Sequence, residues 1–250
     1  MYRDHKRLIR QCDEEKIVTF GVTTTPKAFE RNAEMAIGFP FAIVGLGLHP
    51  QLVAERAGEL PLFEKLLART RYVGEIGLDA GPRFYASFQE QRRIFERILG
   101  ACNEQGGKVL SIHSVRSVSK VLRELEANLQ NRTCVPVLHW FTGTRSEAAR
   151  AIELGCYFSI NIEMLRTPKM HALLRTLPTD RLLTESDGPF VTHDERPIRP
   201  TDMPATVQRL AELRATESTL LGDQILENLR RLTIERPEPK PRPQLRLFKS

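Results

Sequence analysis

Val73-Gly74-Glu75-Ile76-Gly77-Leu78-Asp79 sets two carboxylates at and just past the end of a short apolar run that begins at Tyr72. Glycines on both sides of Glu75 let another group approach the backbone closely. A buried strand does not carry a glutamate unless a proton, a cation or a metal neutralises the charge. Three later runs finish in the same fashion: Val109-Leu110-Ser111-Ile112-His113, Val135-Pro136-Val137-Leu138-His139 and Leu182-Leu183-Thr184-Glu185-Ser186-Asp187. Each is β-like and ends on a residue type that binds metals. The four ends are expected to converge on one site.

Outward from these runs, strands and amphipathic helices alternate. A helix is expected over Asp4–Glu15 with Asp4 as N-cap, then a strand at 17–23, a helix opening at Thr25-Pro26, and a strand at 41–48 closed by His49-Pro50. Helices follow at 60–68 and 87–105, then near 117–129, and at 146–154, where Gly155 ends the helix. A strand at 156–160, a helix at 168–177, the strand 181–186 and helices at 204–214 and 222–232 complete the pattern. Apolar strands alternating with helices mean a parallel sheet covered by helices. About eight such units in 250 residues point to an α/β fold of the (β/α)₈ TIM-type barrel class. There the strand C-termini carry the active site, which is where Glu75, His113, His139 and Asp187 fall. A doubly wound sheet is the alternative, but no glycine-rich turn follows the first strand. Only seven strands are found and the chain opens in a helix, so the first barrel strand is missing from this chain.

Composition is ordinary for a globular protein, at 41% hydrophobic and 27% charged residues. No apolar run has membrane-spanning length, and Met1-Tyr2-Arg3-Asp4-His5-Lys6 is no signal-peptide core. Cys12, Cys102, Cys134 and Cys156 show no Cys-x-x-Cys spacing, so buried free thiols and a cytoplasmic location are expected. The net charge of +6 is compatible with a nucleic-acid partner. Part of it comes from a proline-rich basic tail over 233–250, read as extended or disordered, behind a catalytic domain of residues 1–232.

Histidines and carboxylates from separate strand ends make a mixed N/O set suited to Zn²⁺, Mn²⁺ or Mg²⁺. Glu75 is read as a ligand, the alternative being a carboxylate salt-bridged at the barrel mouth. His113 and His139 could each ligate or merely donate to a carbonyl, and Trp140 and Phe141 suggest a pocket wall beside His139. Asp187 could be a ligand, a general base or a turn cap. His49 is read as a substrate-contacting or orienting group. Asp79 and Arg116 are candidates for supporting the ligands, for phosphate contact, or for a surface ion pair. His5, His171 and His193 are read as solvent-facing.

Gly74–Asp79, Ile112-His113-Ser114, His139-Trp140-Phe141-Thr142-Gly143 and Thr184-Glu185-Ser186-Asp187-Gly188-Pro189 resemble the motifs of the TatD family. Gly47-Leu48-His49-Pro50, the helix pair Gln91 and Phe95, and Glu227–Leu232 resemble it too, so the likeness runs from about Asp4 to Leu232. It implies a metal-dependent hydrolase of amidohydrolase-like barrel fold, a DNase or phosphodiesterase with one or two divalent ions. Glu75 would bridge two ions, His113 and His139 would complete one site, and Asp187 would serve the other and steer the attacking water. The stretches Val22–Lys27 and Gly47–Arg56 resemble the TatD-like component of the four-part Qat anti-phage system. That likeness implies an ATPase, a QueC-like protein and a further small subunit as partners, with DNA as substrate.

Two departures stand out. The family opens with a His-x-His strand that supplies two ligands, and Met1-Tyr2-Arg3-Asp4 begins where that strand has just ended. The expectations are a true start some twenty residues earlier or a partner covering the gap; with neither, a one-ion site would have lower or absent activity. The family also carries Arg two residues after the histidine of its fifth strand, where this chain has Val115 with Arg116 beside it. Two further readings stay open: a hydrolase or deaminase of a modified nucleobase, and a non-catalytic subunit of a defence complex.

Overall fold

The structure, a computed structural model, describes residues 2–193 and 195–233. The expected proline-rich tail lies, from 234 onward, outside the described residues. In chain order the elements are α1 (His5–Glu14), β1 (Thr19–Val22), α2 (Pro26–Ala36), β2 (Ala42–Gly45), α3 (Val53–Arg56), α4 (Leu60–Leu67) and β3 (Tyr72–Gly77). Then come α5 (Phe88–Gln105), β4 (Val109–His113), α6 (Val118–Asn128), β5 (Val135–His139), α7 (Arg145–Glu153), β6 (Tyr157–Ile160), α8 (Ile162–Arg166) and α9 (Pro168–Thr176). The described chain finishes with β7 (Leu182–Thr184), a small hairpin of β8 (Thr192–His193) and β9 (Arg196–Pro197), α10 (Met203–Arg214) and α11 (Ser218–Thr233).

Strands β3 to β7 form one parallel sheet in strict sequence order, and β1 pairs parallel with β2. The two pieces join across the Leu46–Val73 bridge, where Leu46 N–H donates to Tyr72 O at 3.0 Å and Gly74 N–H to Leu46 O at 2.9 Å. A doubly wound sheet would reverse its strand order about a switch point; this one never reverses, as a singly wound barrel requires. Among the described residues β1 pairs only with β2 and β7 only with β6, so the two strands stand as edges.

Alternation along the strands separates two apolar layers. Leu110 and Ile112, Leu138, Phe158 and Ile160, and Leu182 point to the helices and belong to the large core with Phe63, Ile94, Phe95 and Ile98. Burying each of the larger side chains contributes roughly 2 kcal/mol. The opposite positions, Val109, Val137, Tyr157 and Leu183, form a second cluster inside the sheet's curve, with Tyr72 and Val135 against it. Leu229 and Leu232 of α11 close that cluster from below, and buried Asn228 donates to Thr179 O and Leu182 O, both at 2.9 Å. Two residues further up each inward column come Ser111 then His113, His139, and Ser159 then Asn161. The interior is therefore apolar at one end and polar at the strand C-termini.

Several local expectations need correction. Asp4 precedes α1 but makes no side-chain cap; its carboxylate pairs with Arg199 at 2.9 Å instead, because a guanidinium is the stronger partner. The segment after His49 forms short helical turns and α3, and α8 and the β8–β9 hairpin were not foreseen. The closing helix starts at Ser218, ahead of Gly222. His171 is half-buried, its Nε2 2.8 Å from Leu165 O, and so is His5; His193 is exposed. All four cysteines are free and buried, and no described helix is long and apolar enough to cross a membrane.

Candidate active site

Three strand ends and the turn after β2 aim their imidazoles and carboxylate at one point. Glu75 Oε1 lies 2.8 Å from His113 Nδ1, 2.8 Å from His139 Nε2 and 3.0 Å from His49 Nε2. The chain can pack this tightly because residues 45–47 and 74–75 are in near contact. A Cβ on Gly47 would stand 1.8 Å from Thr23 O and 2.4 Å from Glu75 N. Thr23 accepts the Glu75 N–H at 2.9 Å and Leu48 donates to Glu75 O at 3.1 Å, which fixes the carboxylate's backbone.

A ring of hydrogen bonds orients these groups. His49 Nδ1 accepts the Gln51 N–H at 3.2 Å, which leaves its Nε2 proton directed at Glu75. His113 reaches Asp79 Oδ2 through Nε2 at 3.0 Å, and Asp79 is held by Gln51 Nε2 at 2.8 Å and by its own N–H donating to Gln91 Oε1 at 2.8 Å. On the far side, His139 Nδ1 stands 3.5 Å from Glu185 Oε2. Glu185 also accepts the Trp140 N–H and Asn161 Nδ2, both at 3.0 Å, and the Ser159 hydroxyl.

The electrostatics follow from this crowding. Burial alone would raise the Glu75 carboxyl, but His139, His113 and His49 outweigh it and hold it well below the usual range. Asp79 behaves likewise: burial pushes it up, and His113, Gln51 and the Gly81 N–H bring it down to about 2. Burial lowers both buried imidazoles, but Asp79 and Glu75 raise His113, and Glu185 and Glu75 raise His139 well above an ordinary imidazole. Asp187 shows the opposite balance. Burial and the neighbouring charge of Glu185 push its carboxyl up to about 6.

Glu75, His113 and His139 come together, and His49, read as a substrate contact, joins them on the same oxygen. Asp187 lies past the end of β7 at a positive φ of 43°, near the cluster electrostatically but without a hydrogen bond to Glu75. Arg116 is exposed on the loop after β4, also at positive φ, and pairs with no described residue. Glu185, Asn161 and Gln51 were missed as site residues. The inward step from Leu183 to Glu185 was a usable signal, since it repeats the step from Val137 to His139.

Imidazole nitrogens and carboxylate oxygens in one cluster fit a divalent cation of the Zn²⁺ or Mn²⁺ kind. One ligand atom each from His49, Glu75 and His113 lies within 4.8 Å of the others. Along α2, which begins after Thr24, whose carbonyl accepts the His49 N–H at 2.9 Å, opens a cleft of about 380 Å³ lined by His5, Thr25, Lys27, Arg31, Arg56 and Glu59. Lys27 and Arg56 share Glu59, at 3.6 and 3.4 Å, so the lining keeps an excess of positive charge.

Comparison with known proteins places this arrangement. The chain is 31% identical over 245 residues to a protein of Erwinia billingiae named 3'-5' ssDNA/RNA exonuclease TatD, covering 92% of this chain and 93% of that one. It is 30% identical over 203 residues to the protein of the same name from Pectobacterium carotovorum, covering 74% and 75% respectively. The crystal structure of the TatD homolog YJJV from Escherichia coli K12 superposes with a TM-score of 0.80 over 92% of this chain and 91% of that one, at 24% identity, which shows the common barrel fold. The family model described as TatD related DNase matches residues 1–233, and the chain belongs to that family.

Proposed function

We propose that this chain is a metal-dependent phosphodiesterase acting on single-stranded nucleic acid. The observation that carries the reading is the convergence of His49, His113 and His139 on Glu75 at the C-terminal mouth of the sheet. The relatives named as single-strand DNA and RNA exonucleases and the cationic cleft along α2 support the same substrate class.

Glu75, His49, His113 and His139 would hold the ion, and Asp187, past the end of β7, would be the further carboxylate available to it. A divalent ion there would polarise a phosphoryl oxygen and acidify a water molecule. The remaining chemistry belongs to the chain. Asp187, with its carboxyl near 6, is ionised at neutral pH and basic enough to take a proton from the attacking water. Asp79 and Glu185 orient the imidazoles. Arg116 on the mouth loop, with Lys27 and Arg31 in the cleft, binds phosphates of the strand.

The stretches Val22–Lys27 and Gly47–Arg56, which resemble QatD, meet each other, since His49 N–H bonds Thr24 O and Gly47 N–H bonds Thr23 Oγ1. We place the chain on that basis in cytoplasmic anti-phage defence, with an ATPase, a QueC-like protein and a small subunit as partners. Co-expression with such partners and purification through this chain is expected to recover the assembly; recovery of the chain alone removes that part.

Elemental analysis of the purified chain, paired with a Mn²⁺- or Mg²⁺-dependent assay on single-stranded DNA, tests the activity. Bound metal and chelator-sensitive cleavage are expected. No metal and no cleavage would overturn the hydrolase reading, and turnover of a modified nucleobase alone would move it to base chemistry.

A further inference from the structure

A second cleft, of about 440 Å³, opens beside the end of β5, lined by Trp140, Thr142, Met164, Thr167, Lys169 and Met170. We infer that this cleft is a nucleobase pocket, seating the base of the nucleotide next to the scissile phosphate; the inference rests on the phosphodiesterase reading above.

The lining suits a base and little else. A flat, half-buried indole offers polarisable surface for stacking, over a floor of the buried Met164 and Met170. The hydroxyls of Thr142 and Thr167 can exchange hydrogen bonds with a base edge, and Lys169 adds a cation at the rim. No carboxylate lines it, so an anionic strand meets no repulsion there. Nothing in the set reads one base strictly, and stacking tolerates any of them.

Its walls are tied to the catalytic cluster. Trp140 N–H bonds Glu185 Oε1, and Glu185 Oε2 faces His139. Met164 N–H bonds Asn161 Oδ1, and Asn161 Nδ2 bonds the same Glu185 oxygen. Both sides of the cleft therefore hang on the carboxylate that orients His139. A base held here has a fixed place relative to the metal-binding imidazoles. The two clefts are chemically unlike, the one along α2 cationic and this one aromatic.

Trp140 is the chain's one tryptophan, so it reports on its own cleft. The test titrates the full chain with dAMP and with 2-deoxyribose 5-phosphate while reading indole fluorescence. Saturable quenching by dAMP alone is expected; equal responses to the two probes would overturn the pocket. A second arm compares Trp140→Leu and Trp140→Phe on single-stranded DNA and on bis(p-nitrophenyl) phosphate, which has no base. Removing a stacked base contact weakens nucleic-acid binding about five-fold or more. Trp140→Leu should raise KM for DNA by that factor, beyond any change with the base-free ester, and Trp140→Phe should restore most of it. Equal losses on both substrates would make Trp140 a purely structural residue and remove the proposal. Quenching by dAMP in a protein that cleaves neither substrate would leave the pocket standing and remove the hydrolase reading.

Discussion

His139 and Glu185 stand 3.5 Å apart, Nδ1 to Oε2, and among the described residues this carboxylate is the imidazole's partner on the side away from Glu75. Glu185 is held in turn by Trp140, Asn161 and Ser159. Glu185→Gln keeps the shape but loses the charge that raises His139. Partners of this kind typically matter 10- to 100-fold in metal affinity or activity, and a loss of that order is expected in a metal titration and in kcat. A change under two-fold in both would show that Glu185 only braces the β6–β7 loops.

Glu75→Ala should abolish metal-dependent turnover and strip the purified chain of metal. Glu75 Oε1 is shared by all three imidazoles, so none of them retains its common partner without it. An unchanged rate would remove the site assignment.

Metal uptake should release protons. His113 and His139 are raised above the ordinary imidazole value by Asp79, Glu75 and Glu185, and any proton held on a ligating nitrogen must leave before the metal binds there. Calorimetry in buffers of different ionisation enthalpy should find protons released on binding, with affinity falling as pH falls. The metal-free protein has its own profile. Glu75 and Asp79 are depressed, so their contribution to stability is full above their unfolded values and fades as pH falls toward 2. Asp187 is raised to about 6, so its contribution runs the other way, and stability declines as pH rises from about 4 to 6. The two raised histidines add stability below about 6.5 that is lost as pH rises through their folded values. Chelated protein melted across pH 3 to 9 checks all three signs.

Lys27 and Arg31 line the cleft along α2. If both neutralise phosphates, Lys27→Ala combined with Arg31→Ala should make the log–log salt dependence of single-strand binding shallower by about 1.4. Arg132→Ala, on an exposed turn before β5, removes charge elsewhere and should leave the slope alone. An identical slope in the double variant would take the cleft out of the substrate path.

Gly47→Ala should destabilise the chain by at least about 3 kcal/mol, since the new methyl would overlap backbone atoms of Thr23 and Glu75 that cannot move without parting the strands. Urea unfolding measures it. A near-normal midpoint would mean that β2 and β3 can separate locally at little cost.

Much of this was legible because barrel chemistry sits where apolar runs end. Glu75, His113 and His139 announced themselves as polar terminators of β-like segments, and the sequential strand order followed from their spacing. Glu185 was hidden because attention fell on Asp187, the last residue of its run, while the period of two along β7 points Glu185 inward. Asp4 failed as a cap because its partner, Arg199, is distant in sequence and local pattern carries no trace of it. The β8–β9 hairpin is two residues a side, too short to show alternation.

The way α11 seats under the sheet bears on how the chain acquires its shape during synthesis. Leu229 and Leu232 fill the interior against Tyr72 and Val109, and Thr233 O takes Arg71 Nη1 at 3.3 Å. The first half of the sheet cannot dry its interior until a helix some 150 residues downstream has left the ribosome. Contacts of such long range slow folding, and the waiting sheet exposes strand edges meanwhile. A nascent chain halted before Ser218 should remain open to chaperones and proteases, and release of α11 should be the step that ends that exposure.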